Sequence, residues 1–167
     1  APFSYWVSDS VRRAFERFRS FEGEKRNVRV GLQTSDDFRF LRNWWEPNQT
    51  VTPRRWFPFA KGGAYSPFYS ELNLVLNWQL DGRELKAWAD PLYGNSGWSR
   101  IIKSTEFYFR PGLTWPSRTQ RFGVRIFPRG SIFGHKGPTA FSSDDTASCL
   151  LADLALMTSR PFEALIE

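Results

Sequence analysis

Between Arg100 and Lys136 the chain threads eight basic residues through seven aromatic rings, with Glu106 as the one acid. The cations are Arg100, Lys103, Arg110, Arg118, Arg121, Arg125, Arg129 and Lys136; the rings are Phe107, Tyr108, Phe109, Trp115, Phe122, Phe127 and Phe133. Aromatic side chains fit a pleated, half-buried surface, so this stretch directs the fold towards β-structure. It has two readings of about equal weight. One is a solvated β-face whose arginine stems cover the rings. The other is an electrostatic footprint for a polyanion. The charge is concentrated as well as positive. Residues 137–167 reverse its sign, with Arg160 alone against Asp144, Asp145, Asp153, Glu163 and Glu167, and the whole chain carries +6.

At 167 residues the chain fits one domain (1–167) with a sizeable core. Aromatic residues make up 17% of it, which again favours strands. A single cysteine, Cys149, excludes an intrachain disulfide framework and suits a reducing, cytoplasmic setting. His135 and Cys149 show no zinc-ligand spacing. No segment reaches the apolar length of a membrane span, no signal peptide opens the chain, and no membrane partner is expected. Asn48-Gln49-Thr50 matches a glycosylation acceptor, a triplet that also arises by chance. Met157 is the only methionine, and the closing Phe162–Glu167 run stops within an amphipathic pattern. The chain therefore reads as a piece of a longer protein.

Local patterns predict a helix over 9–21, capped by Asp9, with Val11, Ala14, Phe15 and Phe18 on one face. A strand follows over Val28–Leu32, then a helix start or tight turn at Ser35-Asp36-Asp37. Trp44-Trp45 reads as core. Leu72–Leu80 and Arg83–Trp88 flank Asp81-Gly82, the signature of a type I′ hairpin. Residues 89–99 read as loop, Glu106–Arg110 and Phe122–Phe127 as strands, and Pro128-Arg129-Gly130-Ser131 as a turn. Ser143-Asp144-Asp145 would cap a helix to about Thr158 that buries Leu150, Leu151, Leu154 and Met157, and Ser159-Arg160-Pro161 starts another. The sum is an α+β domain: a mostly antiparallel sheet or partly open barrel of six to eight strands, with helices at both ends.

Asp90-Pro91-Leu92-Tyr93 is the one catalytic look-alike, close to the Asn/Asp-Pro-Pro-aromatic tetrapeptide of adenine amino-methyltransferases. Leu92 stands where the second proline would be and no Gly-rich cofactor loop precedes it, so a plain turn is expected. No nucleophile elbow or zinc-protease motif is present, and Lys61-Gly62-Gly63 lacks P-loop spacing. His135 reads as a surface or turn residue. This stretch of chain is not expected to be catalytic or to bind a cofactor. Lys61-Gly62-Gly63 suits either a phosphate contact, through a cation and closely approaching backbone amides, or a tight turn at positive φ. Arg54-Arg55 is equally ambiguous between a phosphate grip and a solvated loop.

Taken in order, Tyr5-Trp6-Val7-Ser8, Gly31–Phe40, Trp44-Trp45-Glu46, Trp56 with Lys61-Gly62-Gly63 and Tyr69, Asn77-Trp78 with Asp81-Gly82, Gly112-Leu113-Thr114-Trp115, Ser131-Ile132-Phe133 and Met157-Thr158-Ser159-Arg160 form a recognisable string. It resembles the segment after the catalytic domain in Eco57I-type N6-adenine DNA methyltransferases. That family includes fused restriction–modification enzymes and the methyltransferases of bacteriophage-exclusion systems. Thr158 departs from the pattern, where the family often has an Asn-Ser pair. The resemblance implies a target-recognition region, or its first half. The S-adenosylmethionine-dependent catalytic domain would lie upstream in the same parent chain, and double-stranded DNA would be the partner.

On that resemblance, Lys61, the Gly62-Gly63 backbone, Arg118, Arg121 and some of Arg100, Lys103, Arg125 and Lys136 would hold phosphates. Loop residues Arg54, Arg55, Asn95, Arg100, Arg118 and Gln120 are the base-reading candidates. The target adenine would be flipped into the catalytic domain. Beside the resemblance, the aromatics of the basic stretch read as core behind the arginines. An alternative from another class is a single-stranded nucleic-acid or RNA-binding module with aromatic stacking platforms. A Trp-rich carbohydrate-binding sandwich is disfavoured by the basic charge and the missing export signal.

Overall fold

The computed structural model describes residues 8–48, 50, 52–94 and 96–166. Among these the chain forms eight strands and five α-helices, an α+β architecture of two four-stranded sheets, neither closed into a barrel. In chain order they are α1 (Asp9–Arg17), β1 (Arg26–Arg29), α2 (Asp37–Phe40), β2 (Leu41–Asn43), β3 (Trp56–Ala60), β4 (Leu74–Asn77), α3 (Gln79–Tyr93), β5 (Gly112–Thr114), β6 (Arg125–Phe127), β7 (Ile132–Phe133), β8 (Thr139–Ser142), α4 (Ala147–Met157) and α5 (Arg160–Ile166). The first sheet runs β1-β8-β5-β6 and is antiparallel throughout. The second runs β2-β4-β3-β7, with β3 and β7 parallel. No helix among the described residues is long and apolar enough to cross a membrane.

The first sheet is covered on both faces, and its residues alternate accordingly. Leu113 and Ala140 face α4 and α5, packing with Val124, Leu150 and Met157. Phe127 and Phe141 face the other way, into the larger cluster built on the second sheet. There Phe133 of β7 lies 5.2 Å from Phe141, 5.9 Å from Phe127 and 5.6 Å from Tyr108, ring centre to ring centre. Edge-on and tilted contacts at these separations are those that aromatic rings prefer. The sheets are therefore joined through rings, and most aromatics of the basic stretch are core, as expected.

Polar ties complete the joint. Arg125, in β6, is 4% exposed, and its guanidinium donates to the carbonyls of Gly62 (2.5 Å) and Ala64 (3.1 Å). On α4 the buried stripe is Leu150, Asp153, Leu154 and Met157, the spacing of one helical face. Asp153 is tolerated within it because Arg26 donates to its carboxylate at 2.6 and 2.8 Å. Leu151, expected in that stripe, is 59% exposed, one position off the face. The cap is Thr146, whose hydroxyl accepts from the Cys149 amide at 3.4 Å; Asp144 in turn accepts from the Thr146 amide at 3.1 Å.

Several local expectations change. Leu80, Asp81 and Gly82 are all left-handed (φ 50, 57 and 69°), as a hairpin turn would require, but the chain leaves them as the helix of 83–93. Arg83-Glu84-Leu85-Lys86-Ala87 is a run of strong helix formers, and Leu85 and Ala89, one turn apart, are fully buried. The expected strand Arg83–Trp88 is thus helical. So is the first part of the expected 89–99 loop: Asp90-Pro91-Leu92-Tyr93 is a last helical turn, and the Asp90 carboxylate accepts from the Trp98 amide at 3.3 Å. Glu106–Arg110 is not a strand either: Phe107 and Tyr108 are both buried, but among the described residues they pair with no neighbouring strand. A 3₁₀ turn over Thr105–Phe107 places them. Trp44 and Trp45 are 55% and 61% exposed, set edge to face at 5.8 Å, rather than core. On α1, Val11, Ala14 and Phe15 lie outside the described side chains, and Phe18 is exposed beyond the helix end.

Two substitutions probe this frame. A Cβ on Gly82 would sit 2.5–2.9 Å from the Trp78 ring at φ 69°, so Gly82→Ala should destabilise the fold by about 2 kcal/mol or more. Arg125→Met strips the donors from two carbonyls and should cost about 2 kcal/mol. Both are read from denaturant unfolding, where an unchanged midpoint would refute the role assigned.

Candidate nucleic-acid interface

Three chain segments run parallel and end at one edge. β3 pairs with β7, and Leu32 bridges Gly134 in the same sense. The Leu32 amide donates to the Phe133 carbonyl (3.2 Å), the His135 amide to that of Leu32 (2.9 Å) and the Gly134 amide to that of Ala60 (2.8 Å). This approach depends on Gly31, where a Cβ would lie 1.9 Å from the Phe133 oxygen. Thr34, Lys61 and His135 therefore emerge side by side. The Ser117 amide donates to the Lys136 carbonyl at 3.0 Å, which brings in the loop carrying Arg118. The result is a cleft of about 340 Å³ walled by Gln33, Thr34, Ser35, Asp37, Lys61, Arg118, His135 and Lys136, with Leu32 and Phe59 beneath.

Three cations and one carboxylate set its electrostatics. The Lys61 ammonium pairs with one Asp37 oxygen, and the Thr34 hydroxyl donates to the other at 2.5 Å. Partial burial pushes the Asp37 carboxyl up, but the hydrogen bonds from Lys61 and Thr34 and the charges of Lys61 and Lys136 outweigh it and hold it below its ordinary value. Burial, then Lys136, Arg118 and Lys61, keeps the His135 imidazolium disfavoured, with Asp37 opposing. The cleft thus presents net positive charge, a neutral imidazole and the hydrogen-bonding side chains of Gln33 and Ser35. That set is chemically suited to anionic oxygen.

The sequence-based candidates divide. Lys61, Arg118 and Lys136 converge on the cleft. Gly62 and Gly63 take φ 108° and 112°, so the tight-turn reading holds for their backbone; a Cβ on Gly62 would lie 2.7 Å from the Lys136 carbonyl oxygen. Arg121 stands over the Tyr65 ring at 5.1 Å, with Glu163 4.0 Å away. Arg125 does not serve as a surface cation: it is withdrawn into the fold, and burial pulls its pKa down. Arg54 stacks over Phe57 at 4.6 Å and donates to the Trp56 carbonyl at 3.0 Å, while Arg55 pairs with Glu84 at 3.2 Å. Arg100 ends a 3₁₀ turn, Gly97–Arg100, and it, Lys103 and Gln120 are exposed outside the cleft. Asn95 lies outside the described residues.

Gln33, Thr34, Ser35, Asp37 and His135 were not among the candidates. Their signal was available in part: Gly31–Asp37 is a polar run opened by a glycine, and His135 directly precedes Lys136. What local pattern could not supply is the parallel bridge that sets those two segments against each other.

No family model matches the chain. The whole chain aligns at 28% identity with a segment of the adenine-specific methyltransferase PglX of Lacticaseibacillus casei (strain Zhang). Over 96% of its length it aligns at 26% identity with a segment of the adenine-specific methyltransferase BrxX of Escherichia coli O9:H4 (strain HS). The chain spans 15% and 13% of the lengths of these two relatives. Across nearly its full length, then, the chain is similar to one part of much longer adenine-specific methyltransferases.

Proposed function

We propose that this region grips duplex DNA as the target-recognition part of an adenine-specific DNA methyltransferase. It would hold the target so that an adenine is flipped into a separate, S-adenosylmethionine-dependent catalytic domain of the same parent chain. The observation that carries the reading is the convergence of Lys61, Arg118 and Lys136 on one cleft, from three segments distant in sequence. Cations gathered in a concave site attract a polyanion more strongly than the same charges spread over a surface. The similarity to PglX and BrxX supplies the enzyme class. In this reading Lys61 exchanges the Asp37 carboxylate for a DNA phosphate, and Gln33 and Ser35 hydrogen-bond the backbone oxygens beside it. Arg121 and the other exposed cations outside the cleft add weaker, screened attraction.

The exposed Trp44-Trp45 pair favours a second reading, single-stranded nucleic acid stacked on aromatic platforms. Competition binding with the parent methyltransferase separates the two. Preference for single-stranded oligonucleotides without regard to sequence would replace the duplex reading.

Two outcomes are expected of the duplex grip. Lys61→Ala, Arg118→Ala and Lys136→Ala should each weaken binding to all duplexes alike and flatten the plot of log affinity against log salt by about one charge. Asp37→Asn, which releases Lys61, should tighten it. The second outcome concerns pH. His135 is held neutral by burial and by its cationic neighbours, and a phosphate in the cleft would favour the protonated ring. Binding then takes up a proton, so affinity rises as pH falls through the pKa of the ring in the complex, and His135→Gln removes that rise. In the unbound fold the same depressed pKa makes His135 a group whose stability contribution is lost on acidification through its folded-state pKa. Anisotropy titrations across pH, with stability measured in parallel, check both.

A further inference from the structure

Phe68 is held in a conformation that a phenylalanine avoids. Its φ is +70°, and the Tyr69 amide donates to the Pro67 carbonyl at 2.9 Å, closing the rare, strained form of γ-turn around it. The turn is clamped on all sides. The Phe68 amide donates to the Val124 carbonyl at 2.8 Å, and the Phe68 carbonyl accepts from the Ile126 amide at 3.0 Å, so the segment entering β6 holds both its backbone polar groups. The Ser66 hydroxyl donates to the Tyr69 carbonyl at 2.7 Å. Below, Arg125 holds the Gly62 and Ala64 carbonyls, and the Tyr65 ring lies so close to Gly123 that a Cβ there would come within 2.8 Å of it. Yet the ring that this scaffold presents stays in water: Phe68 is 58% exposed and Tyr69 68%.

Glycine would make the same turn without the steric penalty, so the backbone by itself does not call for a phenylalanine here. The surroundings set the chemistry that would complement the ring. The turn follows Lys61-Gly62-Gly63 in the chain, shares the Arg125 anchor with Gly62, and has Arg121 standing over Tyr65. The matching occupant combines negative charge with flat apolar faces. We propose that Phe68 is a wedge that enters a base step of duplex DNA whose phosphates rest on Lys61, Arg118 and Lys136, with Tyr69 as its shoulder. Apolar side chains used this way unstack a step and let the bent duplex contact more protein. The proposal rests on the duplex-grip reading and adds the part of the grip that touches bases.

The test uses the full-length parent methyltransferase and duplexes carrying 2-aminopurine at successive positions through its target. Wild type should raise the fluorescence at the wedged step. Phe68→Gly, which accepts φ +70° and so keeps the turn, should lose that rise at saturating protein. Its affinity should fall by no more than about tenfold, because the lost contact also removes the cost of unstacking. Phe68→Trp should retain the signal. If Phe68→Gly leaves fluorescence unchanged at every position while the Lys61, Arg118 and Lys136 variants still flatten the salt dependence, the wedge is wrong and the grip stands. If those cation variants leave affinity and salt slope untouched, the grip fails and the wedge falls with it.

Discussion

The contact on which the rest depends is the aromatic joint made by Phe107, Phe127, Phe133 and Phe141. Phe133 belongs to the shortest strand, β7, yet its ring meets both Phe127 and Phe141 of the opposite sheet. Rings of this size bring more buried area per residue than any aliphatic side chain, and their edge-to-face preference fixes the angle at which the sheets meet. Two residues past that ring the same strand delivers His135 and then Lys136 to the cleft. Core and site thus lie within a few residues of each other on one segment.

Charge in this molecule is divided by depth. Arg110 meets Asp145 through two nitrogens at 2.7 and 3.1 Å, Arg26 meets Asp153, and Arg125 satisfies backbone carbonyls. Those cations stabilise the fold, because a charge taken from water needs a partner or several hydrogen bonds. Lys61, Arg118 and Lys136 instead face a concave site where, among the described residues, Asp37 is the one carboxylate along the walls. Of the two readings open at the start, arginine stems covering rings fits Arg110, which stands over Phe107 and Phe141, and the anion footprint is the one proposed for Arg118 and Lys136 at the cleft. Lys61 sits at the boundary, paired with Asp37, and in the proposed grip it would exchange that carboxylate for a phosphate.

Strain follows the same division. Left-handed residues at Leu80, Asp81 and Gly82 turn the chain so that Leu85 and Ala89 reach the core, and burial explains them. Phe68 has the same backbone sign, held by its amide and carbonyl bonding to Val124 and Ile126, while its ring is 58% exposed.

The sequence by itself determined what is local or additive. The α+β class, the mostly antiparallel pairing, the burial of the aromatic stretch, the left-handed turn at Asp81-Gly82, the helix through Leu150 to Met157 and the lopsided charge all follow from propensity, backbone sterics and composition. Tertiary structure decided what depends on which segments meet. Whether Asp81-Gly82 opened a strand or a helix turned on Leu85 and Ala89 finding the core. Arg125 and Arg118 are indistinguishable as letters, and only the position of β6 beneath the Gly62 and Ala64 carbonyls consumes one and leaves the other to the cleft. The cleft itself rests on a parallel bridge between Leu32 and Gly134, a pairing between residues so far apart in the chain that no local pattern encodes it.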